Sequence, residues 1–192
     1  MSIPASRKKP PEPTPAGYLF PAGLRKILEN PRHRLVILGT GNLLRSDDGL
    51  GMVCAGLIEK KLKRRPADNI AVLYAEEAIE SYTGKIRGFR PTHVMVIDAC
   101  QAGKKAGRVF LADRRKIGDA ETSTHCLSLN LFAEYVEKDI GAEVCIIGVE
   151  PGSLEFGRKL SKPVRKAVSA LADYICRFFA RDSRSLSQNA GG

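Results

Sequence analysis

Four short runs of apolar residues constrain the fold of this chain more than any other feature of its sequence. Each run is nearly unbroken, rich in Val and Ile, and bounded by residues that favour turns; the runs cover 35–38, 70–74, 94–97 and 144–147. Such runs are typical of strands that are buried on both faces of a parallel sheet. A fifth run, 108–112, follows the third after a segment too short for a crossover helix, so we expect it to pair antiparallel at an edge of the sheet.

Segments with the spacing of amphipathic helices separate these strands. Apolar side chains recur at steps of three and four residues in 50–62, 129–140 and 164–178, and a weaker pattern covers 82–89. Ahead of the first strand a short helix is expected over 22–29, and the last helix is expected to begin at Ser161 as N-cap, with Pro163 in its first turn. The resulting order predicts an α/β fold, a three-layer α/β/α sandwich around a five-stranded, mainly parallel sheet with one antiparallel edge strand.

The length of 192 residues suits a single domain with a sizeable core. Residues 1–17 are rich in Pro and lack apolar periodicity, which predicts a disordered tail, and the Ser- and Gly-rich segment 181–192 predicts a flexible C-terminal tail. We therefore expect one domain over 18–180. No window approaches the roughly 20 apolar residues of a membrane-spanning helix, and no apolar signal core follows the first basic residues, so a cytoplasmic protein is expected.

Charge and cysteine content exclude several classes of protein. The formal net charge of +10 favours an acidic partner, but the chain has no Trp and no recognisable nucleic-acid module, so nucleic-acid binding is not expected. The five cysteines form no C-x-x-C pair. Reduced thiols are therefore expected, and not a disulfide framework or structural zinc.

The segment GTGNLLRSDDGLG, residues 39–51, follows the first strand, where nucleotide-binding proteins carry a glycine-rich phosphate loop. A dinucleotide-binding loop needs a third glycine where this chain has Leu44, and a P-loop needs Lys followed by Ser or Thr where it has Ser46, Asp47 and Asp48. Two carboxylates would also repel a phosphate. We infer that the glycines shape a turn and that the acids face a cationic or electrophilic group, although either Asp alone is also a common helix N-cap.

Two further polar residues fall at the same predicted rim of the sheet. Asp98 ends the apolar part of the third strand, and ligands of open parallel sheets gather outside the carboxyl ends of the strands. His125, in TSTHCLSLN, precedes the next helix at that rim, whereas His33 and His93 fall at the opposite one. Together Asp48, Asp98 and His125 form a set that suits a divalent transition metal such as nickel and leaves coordination positions open, although His125 alone is also explained as a polar residue at a helix entry.

Five motifs make the chain resemble the [NiFe]-hydrogenase maturation endopeptidases, which remove the C-terminal extension of the hydrogenase large subunit after nickel insertion. The motifs are GTGNLLRSDDGLG, VIDA, STHCLSLN, EKDIGAEVCIIGVEP and LSKPVRKAV, in the family's order over about residues 33 to 178. Two of their segments, HCLSLN and IGVEP, are similar to the branch that serves hydrogen-evolving enzymes such as that of formate hydrogenlyase.

The resemblance implies a nickel-dependent endopeptidase of the aspartic type. The family's nickel-recognition ligands fall on Asp48, Asp98 and His125, which would serve in both recognition and catalysis. The resemblance also implies that nickel arrives with the substrate and is not tightly bound to the isolated protein. The implied partner is the precursor of the hydrogenase large subunit.

The segment behind the second strand, AEEAIESYTG, departs from the family's pattern of an acid followed by a Gly-Gly turn, and it leaves open whether Glu76, Glu77 or Glu80 contributes to the cleft. Two other interpretations of the chain stay open. One is a Cys–His hydrolase that uses Cys100 or Cys126, since both adjoin the predicted site. The other is a non-enzymatic assembly factor that docks the large subunit through the same acids.

Overall fold

The structure is a computed structural model that describes residues 18, 20–30, 32–64, 67–76, 78–113, 124–157 and 159–182. For 124–127 and 180–182 it describes the backbone only. The predicted N-terminal tail and residues 183–192 therefore lie outside the described residues. The last helix runs to Asp182, two residues beyond the predicted end of the domain at residue 180.

The helices and strands of the described residues follow the predicted order. Along the chain they are α1 (Ala22–Glu29), β1 (Leu35–Thr40), α2 (Leu50–Leu62), β2 (Ile70–Ala75), α3 (Thr83–Phe89), β3 (His93–Ala99), β4 (Val109–Leu111), α4 (Thr124–Tyr135), β5 (Glu143–Val149) and α5 (Lys162–Asp182). The 3-10 turns Ser46–Gly49 and Ile79–Tyr82 lead into α2 and α3, and the π-helical turn Val136–Ile140 continues α4.

The strands form one five-stranded sheet in the order β2-β1-β3-β5-β4. Strand β1 pairs in parallel with β2 and β3, and β3 pairs in parallel with β5. Strand β4 pairs antiparallel with β5 at the edge, with Val109 opposite Val149. The predicted sheet, mainly parallel with one antiparallel edge strand, is confirmed.

Each face of the sheet carries a separate apolar core, because successive side chains of a strand point to opposite faces. Leu35 and Ile37 of β1 belong to the core that β1, β3 and β5 share with α1, α2 and α5. Val36 and Leu38, the alternate residues, belong to the core on the side of α3 and α4. All four side chains are completely buried or nearly so. The three-layer α/β/α arrangement follows from these two cores.

Glycines bring α2 unusually close to the carboxyl ends of β1 and β3. A side chain at Gly51, in the first turn of α2, would overlap the carbonyl oxygen of Ile97 and the backbone of Thr40. A side chain at Gly39 would overlap the carbonyl oxygen of Gly51. The close helix–strand contact that a dinucleotide-binding loop makes through its third glycine is therefore made here by Gly51. As a result, the 3-10 turn Ser46–Gly49 lies against β3.

Candidate active site at the carboxyl edge of the sheet

The strand order reverses between β1 and β3. The chain moves from β1 outward to β2, and then returns past β1 to form β3 on its other side. In open α/β sheets, ligands bind in the crevice outside the carboxyl ends of the strands at such a switch point. The segments that carry Asp48 and Asp98 both end at this crevice.

Asp98 lies near the end of β3 and is 2% exposed. Its side chain projects to the α3/α4 side of the sheet, because it alternates in step with Val94 and Val96 of that core. The neighbouring residue on β5 is Gly148, and the ring of Phe110 fills the space above it, so that any side chain at Gly148 would collide with the ring. Asp98 is thus a carboxyl group in a confined setting at the edge of the sheet.

Asp48 lies in the 3-10 turn Ser46–Gly49 and is half-buried. Its Oδ2 accepts a hydrogen bond from the backbone N–H of Asn42 at 3.2 Å. The loop folds back tightly, since Gly41 has a φ of 115° and a side chain there would overlap the carbonyl oxygen of Asp48. Because the turn contacts β3, Asp48 and Asp98 belong to two elements that touch at the switch point.

Asp47 has a different function from its neighbour. It is fully buried, and its carboxylate accepts four hydrogen bonds from the loop between β5 and α5. Oδ2 accepts from the N–H groups of Gly152 (2.8 Å) and Ser153 (3.1 Å) and from the hydroxyl of Ser161 (2.8 Å), while Oδ1 accepts from the N–H of Ser161 (2.6 Å). The N–H of Asp47 also donates to the carbonyl of Ser153 at 3.0 Å. Asp47 therefore fastens the β5–α5 loop to the β1–α2 loop.

The simple N-cap interpretation of the two acids is wrong. Neither the 3-10 turn nor α2 has a side-chain capping bond at its start. Ser161, predicted as the N-cap of α5, does directly precede that helix, and its carbonyl accepts the N–H of Arg165 at 2.9 Å. Its hydroxyl group, however, donates a hydrogen bond to Asp47. The two ends of this bond are 114 residues apart in the chain.

His125 lies in the first turn of α4, and its side chain is outside the described residues. Its position along the sheet follows from the connection. Only Gly141 and Ala142 separate the π-helical end of this helix from the start of β5, so the helix ends at the amino edge of the sheet. A helix of this length spans about 25 Å, roughly the length of the seven-residue strand beside it, so its start lies near the carboxyl edge.

No group of three His, Cys, Asp or Glu side chains suited to a metal occurs among the described residues. The predicted set includes His125, whose side chain is not described, so this set stays a prediction. Of the three acids behind β2, Glu76 and Glu80 are exposed, and Glu77 is outside the described residues.

Glu150 is a buried acid of this edge that the sequence analysis did not single out. It is 6% exposed, directly follows β5, and accepts a hydrogen bond on Oε2 from the N–H of Ala102 at 2.8 Å. Its backbone binds Gly107 and Arg108, so Glu150 orders the turns between β3 and β4. The signal was available, because Glu150 follows an apolar strand in the same way as Asp98.

The other two histidines lie at the opposite edge of the sheet, as predicted. The rings of His33 and His93 stack with their centroids 3.8 Å apart. Burial of His93, followed by the nearby His33, lowers the pKa of His93, whereas Glu143 at 3.4 Å acts in the opposite direction. This pair is therefore remote from the acids of the candidate site.

Cys145 and Cys176, which lie outside the candidate site, are not activated thiols. Burial raises the pKa of Cys145 to about 12 and that of Cys176 to about 11. A nucleophilic cysteine instead needs a lowered pKa. Cys100 is buried beside the site, and the side chain of Cys126 is not described.

Comparison with known proteins identifies the family. The family model described as HycI, hydrogenase maturation protease, matches residues 56–178. The chain belongs to this family. It is 30% identical over 137 residues to the hydrogenase 3 maturation protease of Escherichia coli K12, an alignment that covers 71% of this chain and 85% of that protein. This member of the hydrogenase maturation proteases is thus a hydrolase, and the assembly-factor interpretation is not favoured.

Solved structures of maturation proteases share its fold. The [NiFe] hydrogenase maturation protease HycI from Thermococcus kodakarensis KOD1 superposes with a TM-score of 0.74 at 30% identity, covering 82% of this chain and 99% of that one. A crystal structure of the hydrogenase 3 maturation protease gives a TM-score of 0.61 at 27% identity, covering 75% of this chain and 90% of that one. None of the helices in the described part of this maturation protease has the length and apolar character needed to span a membrane.

Proposed function

We propose that this maturation protease removes the C-terminal peptide of the immature [NiFe]-hydrogenase large subunit after nickel insertion, and that it recognises the substrate-borne nickel through Asp48, Asp98 and His125. The observation that supports the proposal most is the pairing of two carboxyl-bearing segments at the switch point of the sheet. The 3-10 turn with Asp48 touches β3, whose next-to-last residue is Asp98. The helix that carries His125 starts toward the same edge.

The residue types suit a metal that is delivered with the substrate. Carboxylate oxygens accept many divalent metals, and imidazole is a ligand for nickel. Three protein ligands leave positions for groups that the substrate keeps on the metal. Asp47 is excluded from this set, because its two carboxylate oxygens already accept four hydrogen bonds. Of the two adjacent acids, Asp48 is therefore the proposed ligand.

The proposed chemistry is hydrolysis of one peptide bond of the precursor. A water molecule attacks the scissile carbonyl carbon, and Asp98 is the proposed base that takes its proton. The substrate's nickel polarises the carbonyl group or the water. The C–N bond then breaks, and the leaving amine takes up a proton. Recognition of nickel before cleavage would restrict processing to large subunits that have received their metal.

The direct test is incubation of the purified protein with nickel-loaded and nickel-free precursor, followed by mass spectrometry of the large subunit. We expect loss of the C-terminal peptide from the loaded precursor only. Equal cleavage of both precursors would refute recognition of nickel. Stable binding without any cleavage would instead support an assembly factor.

The role of Asp98 is tested by Asp98→Asn, which removes the charge and keeps the shape. We expect cleavage to be abolished while the variant stays folded at the assay temperature, because the amide keeps the volume of the buried carboxyl group. The exposed Asp68 lies in the turn before β2, at the opposite edge, and Asp68→Asn is the matched control that should keep full activity. A large loss of stability in Asp98→Asn would argue for a structural role.

A further inference from the structure

A cleft of about 510 Å³ lies between the turn that precedes β4 and the start of α5. Four cationic side chains line it, namely Lys105, Arg108, Lys162 and Lys166, and no acidic side chain does. All four residues are exposed, whereas Gly107 and Val109 of the lining are buried. The cleft is thus a positively charged recess and not a flat surface.

The four cations of the cleft have no ion-pair partner among the residues that the structure describes. Basic residues elsewhere on the surface do have one: Arg25 with Glu29, Lys61 with Asp173, Lys63 with Glu59, and Lys138 with Glu134. Lys162 and Lys166 are four residues apart on α5, a spacing at which like charges repel and destabilise the helix. An anionic ligand would relieve this repulsion.

The backbone around the cleft is firmly held. Gly107 has a φ of 79°, and its N–H donates to the carbonyl of Glu150 at 2.8 Å. A side chain at Gly107 would lie only 2.7 Å from the carbonyl oxygen of Pro163, so the turn rests directly on the start of α5. The N–H of Arg108 donates to the carbonyl of Lys105 at 2.9 Å and closes the turn. The two pairs of cations are therefore carried on two backbones in contact.

The cleft lies close to the candidate active site. Val109 pairs with Val149 of β5, and Val149 pairs with Ala99, the neighbour of Asp98. Two strand spacings, about 10 Å, thus separate the floor of the cleft from the end of β3. The cleft lies on the α5 side of the sheet and the Asp98 side chain on the other, so a peptide held near Asp98 would pass around the carboxyl edge of the sheet to reach the cleft. At about 3.3 Å per residue, the spacing along the edge corresponds to about three residues.

We propose that this cleft binds an acidic segment of the protein substrate, close to the bond that is cleaved. The proposal rests on the proposed function, because a segment of the protein substrate is then held beside Asp98. Charge argues against the chain's own N-terminal segment as the occupant. Tyr18, which follows that segment in the chain, lines the cleft, and the segment carries Arg7, Lys8 and Lys9 against one acid, Glu12.

Binding is tested without cleavage by calorimetric titration with a synthetic hexaglutamate peptide. We expect the wild-type protein to bind it, a neutral Gly-Ser hexapeptide not to bind, and Lys162→Gln with Lys166→Gln to weaken binding about tenfold or more. Lys60→Gln with Lys63→Gln is the matched control, since it removes the same charge at the far end of α2. Equal weakening in both double variants, or no weakening in the cleft variant, would overturn the proposal.

A nucleic acid is the other class of anion to compare. Binding of a single-stranded hexanucleotide that is tighter than that of hexaglutamate, and is lost in the cleft variant, would overturn the acidic-peptide assignment. With the nickel-loaded precursor, the cleft variant should raise KM and leave kcat unchanged, and an unchanged KM would count against the proposal. If wild type does not cleave the precursor, the proposed function fails, whereas the peptide titration still decides whether the cleft binds an acidic segment.

Discussion

The adjacent residues Asp47 and Asp48 should respond in opposite ways to the same substitution. In Asp47→Asn, the amide oxygen can take the place of Oδ2 and keep its three donors, which leaves the amide NH2 facing the N–H of Ser161. One buried donor then loses its acceptor, at a cost of about 1–3 kcal/mol, and three bonds lose the strength that a charged acceptor gives them.

The lower cost of burying a neutral amide offsets part of this loss, so we expect Asp47→Asn to lower the free energy of unfolding by about 3 kcal/mol. For a chain of this size that corresponds to a fall of about 6–12 °C in the unfolding midpoint. Asp48→Asn should change the midpoint by no more than about 2 °C, because Asp48 is half-buried and accepts one long bond, from Asn42. Its cleavage of nickel-loaded precursor should nevertheless be lost.

Thermal unfolding followed by circular dichroism measures the change in the unfolding midpoint of each variant, and mass spectrometry of the precursor measures its cleavage. Activity is measured well below the lower midpoint, so that both variants are folded during the assay. Residual cleavage by Asp47→Asn is expected under these conditions, since Asp47 is fully buried and its carboxylate binds the β5–α5 loop. The reasoning fails if Asp47→Asn is as stable as wild type, or if Asp48→Asn loses as much stability as Asp47→Asn.

Three further predictions concern other parts of the molecule. Burial and the neighbouring His33 lower the pKa of His93 in the folded state, so the unfolded chain binds the proton more tightly. The stability of the protein should therefore fall as the pH drops below 6.5, the ordinary pKa of histidine. Thermal unfolding at several pH values should show a smaller fall for His93→Gln than for wild type. Gly51→Ala should lower the free energy of unfolding by about 1–3 kcal/mol, because the new side chain would overlap β3. The control Gly84→Ala, which has open space around it, should raise the free energy of unfolding by about 0.5–1 kcal/mol by stabilising α3. Similar values for both variants would contradict the packing argument. Because the proposed chemistry uses Asp98 and no thiol, iodoacetamide should leave cleavage unaffected, and inactivation would revive a thiol mechanism.

The arrangement of the sheet was predictable because it depends on patterns that are local in the chain. A strand buried on both faces needs an unbroken apolar run, and β1 and β3 have such runs. A connection too short for a helix predicted the antiparallel edge strand β4. Strand ends at the switch point then indicated Asp98, and the same reasoning could have indicated Glu150.

Close packing between α2 and the sheet was not predictable in the same way. The search for a third glycine stopped at Leu44, whereas Gly51 makes the contact with Ile97 from within the helix. A pattern of glycines shows where a side chain is missing, but it does not show which backbone fills the space. That depends on the angle at which the helix crosses the strands.

The sequence by itself determined the order of the helices and strands, the parallel core of the sheet and the edge at which the acids gather, because periodicity and connection length act over a few residues. Only the tertiary structure decided that Asp47 holds two loops together and leaves Asp48 for a ligand, and that Lys105 and Arg108 share a cleft with Lys162 and Lys166. Hydrogen bonds and charge clusters of this kind join residues that are more than fifty positions apart in the chain, and their partners are set by the packing of whole elements.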